Sequence, residues 1–264
     1  MEKIPTDTGF HTPPLGAGGI NPPFGGGAAM IFAAGLGTRL KPFTDKHPKA
    51  LAMVNGKPLL QRNIEYLQQH GITNVIVNVH HFASQIIDAI QQNKGWGSQV
   101  SISDETDEVL ETGGGLKRAS SFFKDVEDFV VMNADILTDL NLTAMLQSHK
   151  AQQPLATLAT SNRSSSRYFL FNEADELCGW TNDKTGEQRI SKQAATFNKK
   201  AFSGVHVINS RLLTLITQEG KFSMVDVYLE LAKSHVIKSF DHSGSKFIDV
   251  GKPDNIVLAE SLFV

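Results

Sequence analysis

Cysteine is almost absent from this 264-residue chain, where Cys178 stands alone. That excludes an intrachain disulfide and a thiolate zinc cluster, and it fits a reducing compartment such as the cytoplasm. An excess of one charge is also lacking. The 25 basic and 27 acidic residues leave a formal net charge of −2, so no surface for coating a polyanion is expected, and nucleic acid is not a predicted partner. No run approaches the roughly 20 apolar residues of a membrane helix, and the N-terminus lacks the continuous apolar core of a secretory signal. A membrane partner is not predicted either. Residues 1–27 have few periodic apolar positions and are rich in glycine and proline, which predicts a flexible leader. Its strings Gly16–Gly19 and Gly25–Gly27 follow no predicted strand and have no nearby cation, so they read as decoys for a phosphate loop, or as part of a lid.

The hydrophobic content of 41% is enough for a sizeable core, and the length suits one large α/β domain over residues 28–264. Its first element is the apolar run Met30, Ile31, Phe32 and Ala33, of the kind that forms a central strand covered on both faces. After Ala34 the run gives way to Gly35 and Gly37, where successive N–H groups can turn inward around an anion. Thr38 adds a hydroxyl, and Arg39 adds a permanently charged fork suited to phosphate oxygens. Lys49 follows Pro48, which restricts the backbone and predicts a fixed place for this cation. An ordinary strand-to-helix turn with exposed charges also fits these residues. The dinucleotide pattern GxGxxG is incomplete at Leu40, which disfavours a nicotinamide-dependent dehydrogenase.

Further along, Leu60, Ile64 and Leu67 have helical spacing, and residues 72–79 read as a strand. Ile86, Ile87 and Ile90 mark a second helix, and residues 100–103 a second strand. This alternation predicts a mostly parallel sheet with helices on both faces, whose ligands bind at the carboxyl ends of the strands. Glu111–Ala119 (ETGGGLKRA) opens a helix on three glycines; a flat ligand lying on bare backbone and tight packing of a helix start fit it equally. Residues 129–136 form a buried-type strand carrying Asn133 and Asp135, where a carboxylate can hold a metal or simply shape a turn. His80 and His81, near a strand end, could touch a ligand, with a solvated loop the stronger reading. Between residues 151 and 200 the pattern is irregular, with strands at 155–160 and 168–172 and loops at 161–167 and 181–192. Gly204 interrupts a strand over 201–208, which marks close approach of a ligand or another backbone. Ser223 caps a helix read as structural. Asp249 puts a charge between Ile248 and Val250, which is expensive unless paired or metal-bound.

AAGLGTRL followed by PKAL resembles the signature of the sugar-nucleotidyltransferases, and ETGGG is similar to the branch that includes the N-acetylmuramate 1-phosphate uridylyltransferases. The resemblance implies a Rossmann-like three-layer sandwich with a mostly parallel mixed sheet, glycosyltransferase-A-like. Residues 28–150 would be its nucleotide-binding half and 151–264 its sugar-binding half. It implies a magnesium-dependent nucleotidyl transfer from a nucleoside triphosphate to a sugar 1-phosphate in cell-wall precursor synthesis, first of all uridylyl transfer to an amino-sugar 1-phosphate such as N-acetylmuramate 1-phosphate, by a monomer or small homo-oligomer. Arg39, Lys49, Asp135 and Asp249 would be catalytic, with Mg²⁺ on the two aspartates. Ala33, Ala34, Gly35, Gly37, Thr38, Glu111, Gly113, Gly114 and Asn133 would line the nucleotide, and Gly204 the sugar. A further lysine on the sugar phosphate is left open among Lys184, Lys192, Lys199 and Lys200. The family pattern is broken by Ala134 in place of glycine, Phe247 in place of tryptophan and Lys252 in place of threonine; none of these removes a ligand. A guanylyltransferase for mannose or heptose 1-phosphate is the alternative enzyme, and a non-catalytic nucleotide-sugar sensor the alternative class. No C-terminal acyltransferase or left-handed helix domain is expected after Asp249.

Overall fold

The apolar run becomes the middle of a sheet. In the computed structural model, which describes residues 27–263, strand β1 (Ala28–Phe32) is buried along its whole length. A short hairpin follows, β2 (Met53–Val54) and β3 (Lys57–Pro58). Helix α1 (Leu59–Gln69) leads to β4 (Asn74–Val79), and α2 (Ala83–Gln92) to β5 (Gln99–Asp104). Helix α3 (Glu111–Arg118) then precedes β6 (Asp128–Asn133), β7 (Ile136–Thr138) and α4 (Leu142–Gln152). Strands β4 and β6 flank β1 in parallel, and β5 lies parallel outside β4. Nothing but side chains can cover such strands, and two buried clusters do so. Leu60, Ile64, Leu67, Ile86 and Met145 from α1, α2 and α4 cover one face. The other face is covered by Leu116 of α3 and by Val227, Tyr228 and Leu231 of a later helix.

The second half is β8 (Ala156–Ser161), β9 (Arg167–Phe171), β10 (Leu177–Asn182), β11 (Glu187–Ile190) and β12 (Asn198–Asn209), followed by α5 (Arg211–Leu215), α6 (Met224–Leu231), β13 (Ile237–Asp241), β14 (Phe247–Asp249) and α7 (Pro253–Leu262). The sheet is therefore mixed. Strand β12 runs antiparallel to β6, β8 and β9, and its register breaks between Phe202 and His206, around Gly204 at φ 71°. Ser223 caps α6 through a capping box with Asp226. One expectation is corrected: residues 181–192, read as a loop, carry the end of β10 and all of β11. Every residue of β11 is exposed, so this edge strand lacks the apolar alternation that reveals a strand. The leader and its GAGG string lie outside the described residues, except for Gly27. Among the described residues no helix is long and apolar enough to cross a membrane.

Candidate active site

Strands β1, β4 and β6 end level with one another, Phe32 standing between Asn78 and Asn133. Asn78 is buried and works in two directions: its Oδ1 accepts from Ala33 N–H at 2.7 Å, and its Nδ2 donates to Glu105 Oε1 at 2.8 Å. The start of the glycine loop is thus tied to β5. Gly37 adopts the left-handed conformation, and its carbonyl accepts from Thr44 Oγ1 at 2.9 Å. A side chain there would stand 2.8 Å from Thr44 Cγ2 and 3.0 Å from Lys49 Cβ, so glycine is required on both counts.

The cations and carboxylates of the candidate centre meet beside this loop. Asn63 of α1 donates to Ala134 O at 2.9 Å and fixes the turn between β6 and β7. Strand β14 pairs with β7, and Val250 N–H donates to Asp135 O at 2.8 Å, which brings Asp249 beside Asp135 across 114 residues of sequence. Lys49 Nζ hydrogen-bonds Asp135 Oδ2 and lies 4.0 Å from Asp249 Oδ1. Arg39 Nη2 lies 3.6 Å from Asp249 Oδ2. The four residues named as catalytic from the sequence are therefore one cluster.

Two cavities adjoin along the glycine loop, and the smaller opens at the cluster. One, of about 260 Å³, is lined by Ala33, Arg39, Lys49, Asn133, Asp135 and Gly251. The other, of about 460 Å³, is lined by Ala34, Asn78, His80, Glu105, Glu111 and Lys221. Phe32, Gly35, Gly37, Thr38 and Thr112 line both. His80 stands in the wall of the larger cavity, where its Nδ1 lies 2.6 Å from Glu105 O, and His81 is exposed beside it. Burial pushes the Glu105 carboxyl up from its ordinary value, against the hydrogen bond from Asn78.

The three glycines of α3 have a different place from the loop glycines. All are buried, and a side chain at Gly113 would meet Phe222 Cδ2 at 2.5 Å, at Gly114 the Gly220 carbonyl at 2.3 Å, and at Gly115 Glu105 Oε1 at 2.6 Å. Close packing against residues 220–222 and Glu105 is what these positions require. Glu111 and Thr112, just before them, face the cavity. Glu111 holds φ 58°, an uncommon conformation for a side chain of its size. Gly204 approaches Asn133: a side chain there would stand 2.8 Å from Asn133 Nδ2.

Asp135 and Asp249 offer the hard oxygen donors that Mg²⁺ prefers. Asp249 Oδ1 is buried and accepts no hydrogen bond from the described residues, and a cation, the Lys49 ammonium, already lies against both carboxylates. The pair fits a divalent ion. Among the described residues no group of three or more His, Cys, Asp or Glu could cage a metal, so the remaining ligands would come from water and substrate phosphates. A larger cavity, of about 510 Å³, lies at the opposite end of β6. Its buried polar groups satisfy one another: His149 Nε2 lies 3.2 Å from Asp128, and its Nδ1 lies 2.8 Å from Thr157 Oγ1.

The model of the nucleotidyl transferase family matches residues 28–261. The chain belongs to that family. Among relatives of this nucleotidyl transferase, a UTP–glucose-1-phosphate uridylyltransferase of Synechocystis is 27% identical over 242 residues, which is 86% of this chain and 61% of that protein. An N-acetylmuramate alpha-1-phosphate uridylyltransferase of Neisseria meningitidis is 39% identical over 120 residues, 46% of this chain and 52% of that protein. The chain thus spans about three fifths and one half of these two relatives. HddC of Yersinia pseudotuberculosis, solved in complex with GMP-PN, superposes with a TM-score of 0.72 at 24% identity, covering 90% of this chain and 99% of that one. That likeness shows the shared fold.

Proposed function

We propose that this protein transfers a nucleotidyl group from a nucleoside triphosphate to a sugar 1-phosphate, releasing pyrophosphate and an NDP-sugar. The donor in this proposal is UTP and the acceptor an amino-sugar 1-phosphate such as N-acetylmuramate 1-phosphate. The observation that carries the reading is the Lys49 ammonium on Asp135 and Asp249, with Arg39 alongside, at the mouth of the glycine loop. The name of the Neisseria relative and the ETGGG string support the choice of donor and acceptor. A silent sensor has no use for all four charged groups in one cluster. A triphosphate donor suits the cytoplasm.

In the reaction, an oxygen of the acceptor phosphate attacks the α-phosphorus in line. The new P–O bond forms as the bond from the α-phosphorus to the bridging oxygen breaks, and its electron pair leaves on pyrophosphate. A phosphate monoester with a second pKa of about 6 is already mostly a dianion at neutral pH, so no general base is required. The enzyme's task is positioning and neutralisation. N–H groups of the Gly35–Thr38 loop hold the triphosphate, Lys49 neutralises the α-phosphate, and Arg39 stabilises the departing pyrophosphate. Asp135 and Asp249 would hold Mg²⁺, which when bound supplies Lewis-acid stabilisation of the charge built up on phosphate oxygens. Glu111 and Thr112 face the space left for the base.

The test is pyrophosphate release with Mg²⁺, each of UTP, GTP, CTP, ATP and dTTP, and a panel of sugar 1-phosphates. UTP with an amino-sugar 1-phosphate should give the highest kcat/KM. A higher value for GTP with mannose or heptose 1-phosphate would transfer the assignment to a guanylyltransferase, and no release with any pair would favour the sensor.

A further inference from the structure

Four buried side-chain polar atoms find no hydrogen-bond partner within the described protein: Ser161 Oγ, Arg163 Nε, His242 Nδ1 and Asp249 Oδ1. Buried polar atoms are ordinarily satisfied, so each exception needs a reason. These four share a neighbourhood. Ser161 ends β8 and Arg163 follows two residues on; β13, parallel to β8, delivers His242, whose N–H donates to Thr160 O at 2.9 Å. Phe247, two residues before Asp249, has its ring 4.8 Å from Arg163 Cζ and 5.9 Å from the His242 ring. The cluster therefore borders Asp249 on the sugar-binding half.

Arg163 is fixed in this place. Its Nη2 donates to Phe202 O at 2.7 Å, just before the register break of β12, and Phe247 supports its guanidinium. Burial lowers its proton affinity and the nearby Asp249 carboxylate raises it, yet a guanidinium stays charged in any such setting. Asp249 directs its ion pairs to Arg39 and Lys49 and leaves Arg163 outside them. Of the lysines considered for the sugar phosphate, three are otherwise engaged, Lys192 with Glu176 at 2.8 Å, Lys199 with Asp183 at 2.7 Å and Lys200 with Asp175 at 2.6 Å, while Lys184 is exposed in the turn between β10 and β11.

We propose that Arg163, and not Lys192, Lys199 or Lys200, is the residue that receives an anionic oxygen of the sugar acceptor, from a rigid seat made by Phe202 O and the Phe247 ring. The assignment rests on the acceptor being a sugar 1-phosphate. The anion has two possible sources, the 1-phosphate itself or a carboxylate carried by the sugar, and a planar two-pronged donor suits both.

Calorimetry separates them. Mannose 1-phosphate and N-acetylmuramate 1-phosphate are titrated into wild type, Arg163→Lys and Arg163→Ala, each with Mg²⁺ and saturating α,β-methylene UTP or GTP, and pyrophosphate release is measured in parallel. Arg163→Ala should weaken acceptor binding by about 10-fold or more while binding of the triphosphate analogue stays within about twofold, and Arg163→Lys should fall between. Equal weakening for both acceptors assigns the phosphate; weakening confined to N-acetylmuramate 1-phosphate assigns the carboxylate. Unchanged acceptor affinity in a folded Arg163→Ala protein overturns the proposal, as does a wild type that binds neither acceptor. A purely structural arginine would lower the melting temperature of the variants and leave acceptor affinity alone. Binding that depends on Arg163 without any pyrophosphate release would sink the transfer reaction and leave this assignment standing.

Discussion

Gly251 and Arg39 touch: a Cβ at Gly251 would stand 2.8 Å from Arg39 Nη2 and 2.6 Å from Asp249 Oδ1. The loop cation reaches the second carboxylate only because residue 251 has no side chain. Gly251→Ala should therefore displace Arg39 or Asp249 by a fraction of an ångström, with little effect on the fold around it. A misplacement of about 1 Å at a reacting centre can cost on the order of 10²-fold. Steady-state pyrophosphate release should fall by at least about 10-fold while the melting temperature stays near that of wild type. Wild-type turnover in Gly251→Ala would show that the Arg39–Asp249 contact plays no part in the reaction.

The glycines of α3 make a separate claim, about stability. Gly114 has no room for a methyl group, because the Gly220 carbonyl would lie 2.3 Å away and is backbone that cannot rotate aside. Gly114→Ala should cost about 1–3 kcal/mol, the usual penalty for overpacking. Urea unfolding followed by circular dichroism measures it. An unchanged midpoint would free these glycines for another role.

How much of this could be read from the sequence depended on how local the signal was. The strand into Gly35 announced itself by an unbroken apolar run, and Asp249 by a charge set between Ile248 and Val250. Their meeting could be stated from the residues only as two carboxylates in search of a partner, since the β7–β14 pairing that joins them spans more than a hundred positions. Asn78 and Glu105 were invisible for the same reason: each is an ordinary polar residue until the parallel register of β4 and β5 brings them together. Arg163 sat in a serine-rich string that reads as a loop, and nothing local to that string brings it to Phe247. The glycine triplet was ambiguous in kind. Tight packing and ligand approach demand the same residue, and only the neighbours of the missing Cβ tell them apart.

Acid should destabilise the protein through His206. This imidazole is fully enclosed, with Nδ1 against the Tyr228 hydroxyl, and burial pushes its pKa down to about 3. In the unfolded chain it takes up a proton near the ordinary value of about 6.5. Between those values the unfolded state binds the extra proton, so the stability is fully present above about pH 6.5 and is lost as pH falls, by roughly 1.4 kcal/mol per unit. Wild type should lose about 2 kcal/mol more than His206→Gln between pH 7 and pH 5 in urea unfolding. Equal losses in the two proteins would refute the assignment.

The proposed transfer depends most directly on the two carboxylates that flank Lys49. The decisive measurement is Mg²⁺-dependent pyrophosphate release by wild type and by Asp249→Asn, a variant that keeps the shape of the side chain and removes its charge, across the triphosphate and sugar 1-phosphate panel. The prediction is turnover by wild type with at least one pair, abolished without Mg²⁺ and reduced by about 10³-fold or more in Asp249→Asn. Wild-type turnover that persists undiminished in Asp249→Asn, or no turnover by wild type with any pair, would contradict it.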